Sequence, residues 1–85
     1  MKEFKYTIKD EVGLHARPAG LLVKEAKKFT SALTITKNGQ TKKLTQLMMV
    51  MSLGVKKGEV VTIQADGEDE EAAIEALKAF FEQNL

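Results

Sequence analysis

Ala32-Leu33-Thr34-Ile35-Thr36-Lys37-Asn38-Gly39-Gln40-Thr41-Lys42-Lys43-Leu44 is the stretch that sets the architecture of the chain. Its centre, Asn38-Gly39, is the dipeptide best suited to a two-residue hairpin turn, because such a turn needs positive φ at both central positions. Before it, Leu33 and Ile35 alternate with threonines, the two-residue period of a strand with one buried face. An antiparallel pair is therefore expected, one strand over 32–37 and the other near 40–44.

Working outward, Phe4, Tyr6 and Ile8 alternate with Lys5, Thr7 and Lys9, which predicts another half-buried strand. Asp10-Glu11-Val12-Gly13 reads as a loop. Pro18 suits the first turn of a helix, where a missing N–H is no loss. Leu22, Ala26 and Phe29 then follow at helical spacing, so a helix is expected from about 16 to 28. On the far side of the hairpin, Leu47-Met48-Met49-Val50-Met51 is apolar but unpatterned and reads as a short helix. Lys56-Lys57-Gly58 is a turn, and residues 59–65 form a strand with Val61 and Ile63 on one face. A last helix begins near Glu68, with Ile74, Leu77, Phe80 and Phe81 on its apolar side. The order β-α-β-β-α-β-α predicts an α+β domain, an open four-stranded sheet with helices packed on one face. Residues 1–85 leave room for a single domain.

Composition narrows the function classes. An apolar fraction of 44% with mean hydropathy −0.20 fits a globular protein, and no apolar run reaches the roughly 18–20 residues of a membrane span. The N-terminal stretch has no signal-peptide pattern, so a cytoplasmic protein is expected. The absence of cysteine rules out disulfides and thiolate metal sites, and one histidine makes a zinc or haem site improbable; neither metal nor cofactor is expected. Net charge is +1, but twelve Lys/Arg face five Asp/Glu in residues 1–65, while one Lys faces seven Asp/Glu in 66–85. The acidic group Asp66, Glu68, Asp69, Glu70 and Glu71 falls where the last helix starts and is read as support for its dipole.

The chemistry lies in Gly13-Leu14-His15-Ala16-Arg17-Pro18-Ala19. Imidazole carries a proton, a metal or a phosphoryl group near neutral pH. A helix start offers unpaired N–H groups, here those of Ala16 and Arg17, and the Arg17 guanidinium adds a charged donor fork for phosphate. Small Ala16 and Ala19 leave room for another surface to approach. A lone histidine before a helix is often only a surface residue or a cap, so these seven residues do not decide between a site and a solvated surface.

The same seven residues resemble the active-site signature of the HPr family, the histidine-containing phosphocarriers of the phosphoenolpyruvate-dependent sugar phosphotransferase system. The resemblance spans essentially the whole chain and includes Val50-Met51-Ser52-Leu53-Gly54-Val55 followed by Gly58. It implies an open-faced β-sandwich, four antiparallel strands with three helices on one side. It implies that His15 accepts a phosphoryl group on Nδ1 from phosphorylated enzyme I and donates it to a sugar-specific enzyme IIA. Arg17 would bind the phosphoryl group and the partner, Ala16 would offer its backbone N–H, and Pro18 would set the helix start. Ala16 is the residue of Gram-positive-type members. Such a protein is a covalent carrier within a phosphotransferase system rather than a stand-alone enzyme.

Partner docking in this family uses the first helix and the short helix. Leu47, Met48 and Met51 are expected to be partly exposed there, with Val50 and Leu53 packed inward. Gly20, Lys24 and Lys27 would extend the surface, the lysines meeting acidic partner faces and raising the association rate. Gln46 stands where Gram-positive members carry the serine modified by a dedicated kinase, and Met49 stands where glycine is common. Glutamine has no hydroxyl, so no regulatory phosphosite is expected at that position. His15 is retained, unlike in the regulatory paralogue of the family. A monomer is expected, since a shuttle needs a free face.

Three rivals make different demands. A nitrogen-related regulatory phosphorelay would use the same histidine. A small nucleic-acid-binding module would need aromatics exposed on a strand face, whereas Phe4, Tyr6, Phe29, Phe80 and Phe81 all fall at apolar-face positions. A ligand-sensing domain without covalent chemistry leaves the His15–Arg17 pair unexplained. Neither nucleic acid nor a membrane is an expected partner.

Overall fold

Asn38 and Gly39 both adopt positive φ, 49° and 80°, and the turn they make sets Lys37 opposite Gln40 and Thr34 opposite Lys43. In the computed structural model, which describes residues 1–85, the elements run β1 (Lys2–Thr7), α1 (Ala16–Ala26), β2 (Ala32–Lys37), β3 (Gln40–Lys43), α2 (Leu47–Ser52), β4 (Val60–Asp66) and α3 (Glu70–Asn84). The strands form one sheet in the order β1-β4-β2-β3, and every neighbouring pair is antiparallel. The last strand thus enters between the first and second, where Ile63 lies opposite both Phe4 and Ile35.

The alternating residues behave as their period demands. Leu33, Ile35, Val61, Ile63 and Ala65 are buried, and they meet Ala19, Leu22, Val23 and Ala26 of α1 and Ala73, Leu77 and Phe81 of α3 in a continuous core. Phe81 is fully buried. Phe4 and Tyr6 meet its ring edge-on at centroid distances of 5.8 and 5.4 Å, the arrangement favoured by aromatic quadrupoles. Phe4, Tyr6, Phe29 and Phe80 are half-buried against the same core. No helix is long and apolar enough to cross a membrane.

The boundaries differ from the sequence reading at four places, each for a local reason. Helix α1 ends at Ala26, because after Lys27 the N–H groups of Lys28 and Phe29 bond only three residues back, to the Glu25 and Ala26 carbonyls at 3.2 and 3.3 Å. Leu44 lies beyond β3 but is fully buried, its N–H donating to the Leu33 carbonyl at 2.9 Å. Glu59 precedes β4; its carboxylate accepts the Lys56 N–H at 2.6 Å and closes the turn there. Helix α3 starts at Glu70 rather than Glu68, because Asp69 turns its carboxylate to the α1–β2 loop. There it accepts the N–H groups of Thr30 and Ser31 at 2.8 and 2.9 Å and the Ser31 hydroxyl. Those donors hold the Asp69 carboxyl at about 2, below its ordinary 3.8, the Ser31 hydroxyl contributing most. Glu70 and Glu71 remain in the first turn of α3, as the dipole reading requires.

Candidate functional site

The site is built on a loop held from both sides. Asp10 forms a tight turn in which its Oδ2 accepts the Val12 and Gly13 N–H groups, each at 3.1 Å. The backbone oxygen of Leu85, at the end of α3, accepts the N–H groups of Lys9 and Asp10 at 2.6 and 2.8 Å. Gly13 follows at φ 82°, and a Cβ there would press into the Val55 carbonyl and stand 2.8 Å from the Lys56 Cα. Only glycine lets the loop lie this close to the α2–β4 connection. Leu14 is buried and donates its N–H to the Val55 carbonyl at 3.0 Å. The chain therefore reaches His15 with little freedom left.

His15 is the N-cap of α1, with extended backbone (φ −89°, ψ −174°) and no capping bond from its side chain. Its carbonyl accepts the Ala19 N–H at 2.9 Å, so the helix starts while the imidazole stays outside it. The side chain is 42% exposed. The N–H groups of Ala16 and Arg17 have no partner within the protein, and Pro18, next in the first turn, has none to satisfy. Arg17 is exposed and enters none of the ion pairs. Two unpaired donors, a free guanidinium and an accessible imidazole thus share one helix end, where the dipole favours an anion.

His15, Arg17 and Pro18 line a shallow depression of about 260 Å³ together with Asp10, Leu21 and Asn84. A larger one, about 680 Å³, lies at the start of α3 among Glu68, Asp69, Glu70, Glu71 and Glu75; its charge repels phosphate. No group of three or more His, Asp or Glu is placed to hold a metal ion.

Helix α2 packs on α1 beside the site. Val50 and Leu53 are buried, as expected. Met48 is the most exposed of its residues at 76%, and Leu47 and Met49 are exposed as well. Met51 is half-buried against the core and shows only part of its side chain. On α1, Lys24 is exposed and Gly20 is partly so, and Lys27, which caps the helix, is exposed. The end of α2 is fastened by Lys37, whose Nζ donates to the Leu53 and Gly54 carbonyls at 3.0 Å each. The same ammonium pairs with Glu59 at 3.0 Å. That hydrogen bond, with the Lys56 N–H, lowers the Glu59 carboxyl below its ordinary value. Gln46 is exposed and caps α2 only through its backbone, its side chain making no capping bond.

Sequence reading placed His15, Ala16, Arg17 and Pro18 together, and the structure does the same. It missed Asp10 and the exposed apolar Leu21 and Met49. Asp10 had a signal available, since an aspartate two or three residues before glycine commonly turns its carboxylate onto the following amides.

The family described as "PTS HPr component phosphorylation site" matches residues 2–83. This chain belongs to the HPr family. The phosphocarrier protein HPr of Mycoplasma capricolum subsp. capricolum is 50% identical over 78 residues, covering 92% of this chain and 88% of that protein. An HPr structure from Thermoanaerobacter tengcongensis superposes with a TM-score of 0.93 at 46% identity, covering 98% of this chain and 93% of that one. A Mycoplasma histidine-containing phosphocarrier protein gives 0.91 at 48% identity, with 93% and 90% covered. The observed sheet and three helices are the open-faced sandwich of the family. The function is that of an HPr phosphocarrier in the phosphotransferase system, where the family works with enzyme I and enzyme IIA components.

Proposed function

We propose that His15 is the residue that carries the phosphoryl group in this HPr-family chain, taking it from phosphorylated enzyme I and giving it to an enzyme IIA. The observation behind this reading is the exposed imidazole at the start of α1, beside the unpaired N–H groups of Ala16 and Arg17. The Nδ1 lone pair attacks phosphorus while the donor's P–N bond breaks, and its electron pair returns to the donor nitrogen. Onward transfer reverses the roles. Arg17 and the two amides neutralise charge on the phosphoryl oxygens in both directions, and Pro18 fixes the first turn on which those amides sit.

The docking face consists of Leu47, Met48 and the exposed part of Met51 on α2, with Gly20 and Lys24 on α1 and Lys27 at its C-cap. Unbranched methionines adapt to several partners, and the lysines steer acidic surfaces without slowing release. The protein acts as a cytoplasmic monomer, and Gln46 leaves no phosphosite at the start of α2. The family description and the names of its relatives favour sugar transport over a nitrogen-related relay. In a chase experiment, the phosphorylated protein transfers its label to enzyme IIA, and His15→Ala does not. Equal transfer by His15→Ala contradicts the assignment.

A further inference from the structure

Asp10 is the only acidic side chain lining the depression at His15, and it is held unusually still for a surface carboxylate. Its Oδ2 accepts two backbone N–H groups, and its own N–H is tied to the Leu85 oxygen. That same Oδ2 stands 3.9 Å from Nε2 of His15. At that separation the two form a charge contact rather than a hydrogen bond, and Nδ1 faces no charged group of the protein at comparable distance. A neutral imidazole carries one proton, and the nitrogen without it holds the nucleophilic lone pair; the neighbour of one nitrogen therefore decides the state of the other.

We propose that Asp10 is a positioning residue for phosphoryl transfer: its fixed carboxylate keeps the His15 proton on Nε2, so that Nδ1 presents its lone pair to phosphorus. This rests on the reading of His15 as acceptor. When the Nδ1–P bond forms and the donor's P–N bond breaks, the ring remains protonated at Nε2 and becomes cationic, and Asp10 faces that new charge. When the Nδ1–P bond breaks, its electron pair returns to Nδ1 and a neutral imidazole leaves. No proton moves in either direction. Both side chains are partly exposed, 42% for His15 and 36% for Asp10, so water weakens the contact in the free protein. A docked partner that displaces this water strengthens it.

Asp10→Asn separates charge from structure, because the carboxamide oxygen still accepts from Val12 and Gly13. The ¹⁵N chemical shifts of the His15 ring, read where it is neutral, give the tautomer ratio, and the Val12 and Gly13 amide shifts report the loop. The wild type is expected to hold mainly the Nε2–H form, and Asp10→Asn to lower that ratio about threefold, the size of a half-exposed charge contact. The smaller population of the reactive tautomer slows phosphorylation by enzyme I only slightly; losing the charge that faces the newly cationic ring slows it about threefold. Should the carboxamide disturb the loop, Asp10→Ser supplies another short acceptor for the same comparison. An unchanged ratio and rate in a variant with an intact loop, with His15 phosphorylated normally, overturns the role of Asp10 alone. A wild type that gains phosphate elsewhere than His15 overturns the acceptor reading instead.

Discussion

Replacing Gly13 by alanine probes how firmly the backbone beneath His15 is fixed. Gly13 holds φ 82°, where an L side chain costs about 1–2 kcal/mol. The new Cβ would meet the Val55 carbonyl and approach the Lys56 Cα to 2.8 Å. Both obstacles are backbone, so relief requires moving the α2–β4 connection rather than a flexible side chain. That motion loosens the Leu14 N–H to Val55 bond of 3.0 Å, whose net contribution is about 1 kcal/mol. With some loss of packing around Leu14, the total is about 3 kcal/mol. At about 2.1 cal/mol/K of unfolding entropy per residue, a chain of 85 residues loses roughly 5–6 °C of Tm per kcal/mol, so Gly13→Ala should melt about 15 °C below the wild type. Gly20→Ala is the internal control. Gly20 lies within α1 with nothing within 4 Å of an added Cβ, and alanine there gains about 0.5–1 kcal/mol, raising Tm by roughly 3–5 °C. Far-UV circular dichroism melts of the three proteins decide the matter. A Gly13→Ala Tm within about 3 °C of the wild type, equivalent to roughly 0.5 kcal/mol, contradicts the close approach of Gly13 to the α2–β4 connection.

Three further outcomes are expected. Arg17→Ala should slow phosphoryl transfer tenfold or more in order of magnitude, since a charge-assisted pair to phosphate contributes about 1.5–3 kcal/mol. Its melting curve should stay unchanged, because Arg17 is exposed and unpaired; a large drop in Tm would mark it as structural. Asp69 should shape the acid limb of stability. Its folded carboxyl titrates at about 2, below the ordinary 3.8, so its contribution is fully present above pH ~4 and is lost as pH falls through about 2. Urea midpoints of wild type and Asp69→Asn should therefore converge on acidification, whereas a gap independent of pH contradicts that assignment. Incubation with ATP and the HPr kinase should leave the chain unmodified, because Gln46 offers no hydroxyl; a stable phosphoserine or phosphothreonine overturns this.

Local signals carried most of the fold. Asn38-Gly39 declared its turn, and the alternation through Phe4, Tyr6 and Ile8 declared β1 because burial on one face requires it. The sheet order was not legible, since nothing near Val60–Asp66 says that this strand lies between β1 and β2. That placement makes β4 a central strand, with Val61, Ile63 and Ala65 fully buried in the core. The start of α3 was misplaced for a similar reason: the partners of Asp69, Thr30 and Ser31, lie 39 and 38 residues away in sequence. Nothing near Lys37 in sequence marks its three acceptors, which come from the distant connection between α2 and β4.

At the site, what depends on a helix start was readable, because Pro18 and the small residues beside it fix where α1 begins. His15, Ala16 and Arg17 followed from that one boundary. Asp10 did not, because its approach to the imidazole depends on the turn at Gly13 and on the anchoring of the loop by α3. The exposure of Leu21 and Met49 likewise follows from how α1 and α2 pack together, which spacing alone does not give.

Phosphoenolpyruvate and enzyme I supply the phosphoryl group, and ³¹P–¹⁵N coupling in the ¹⁵N-labelled product shows where it has gone. The prediction is a single acid-labile, base-stable phosphate bonded to Nδ1 of His15, absent from His15→Ala. Phosphate at any other residue, or equal labelling of His15→Ala, contradicts it.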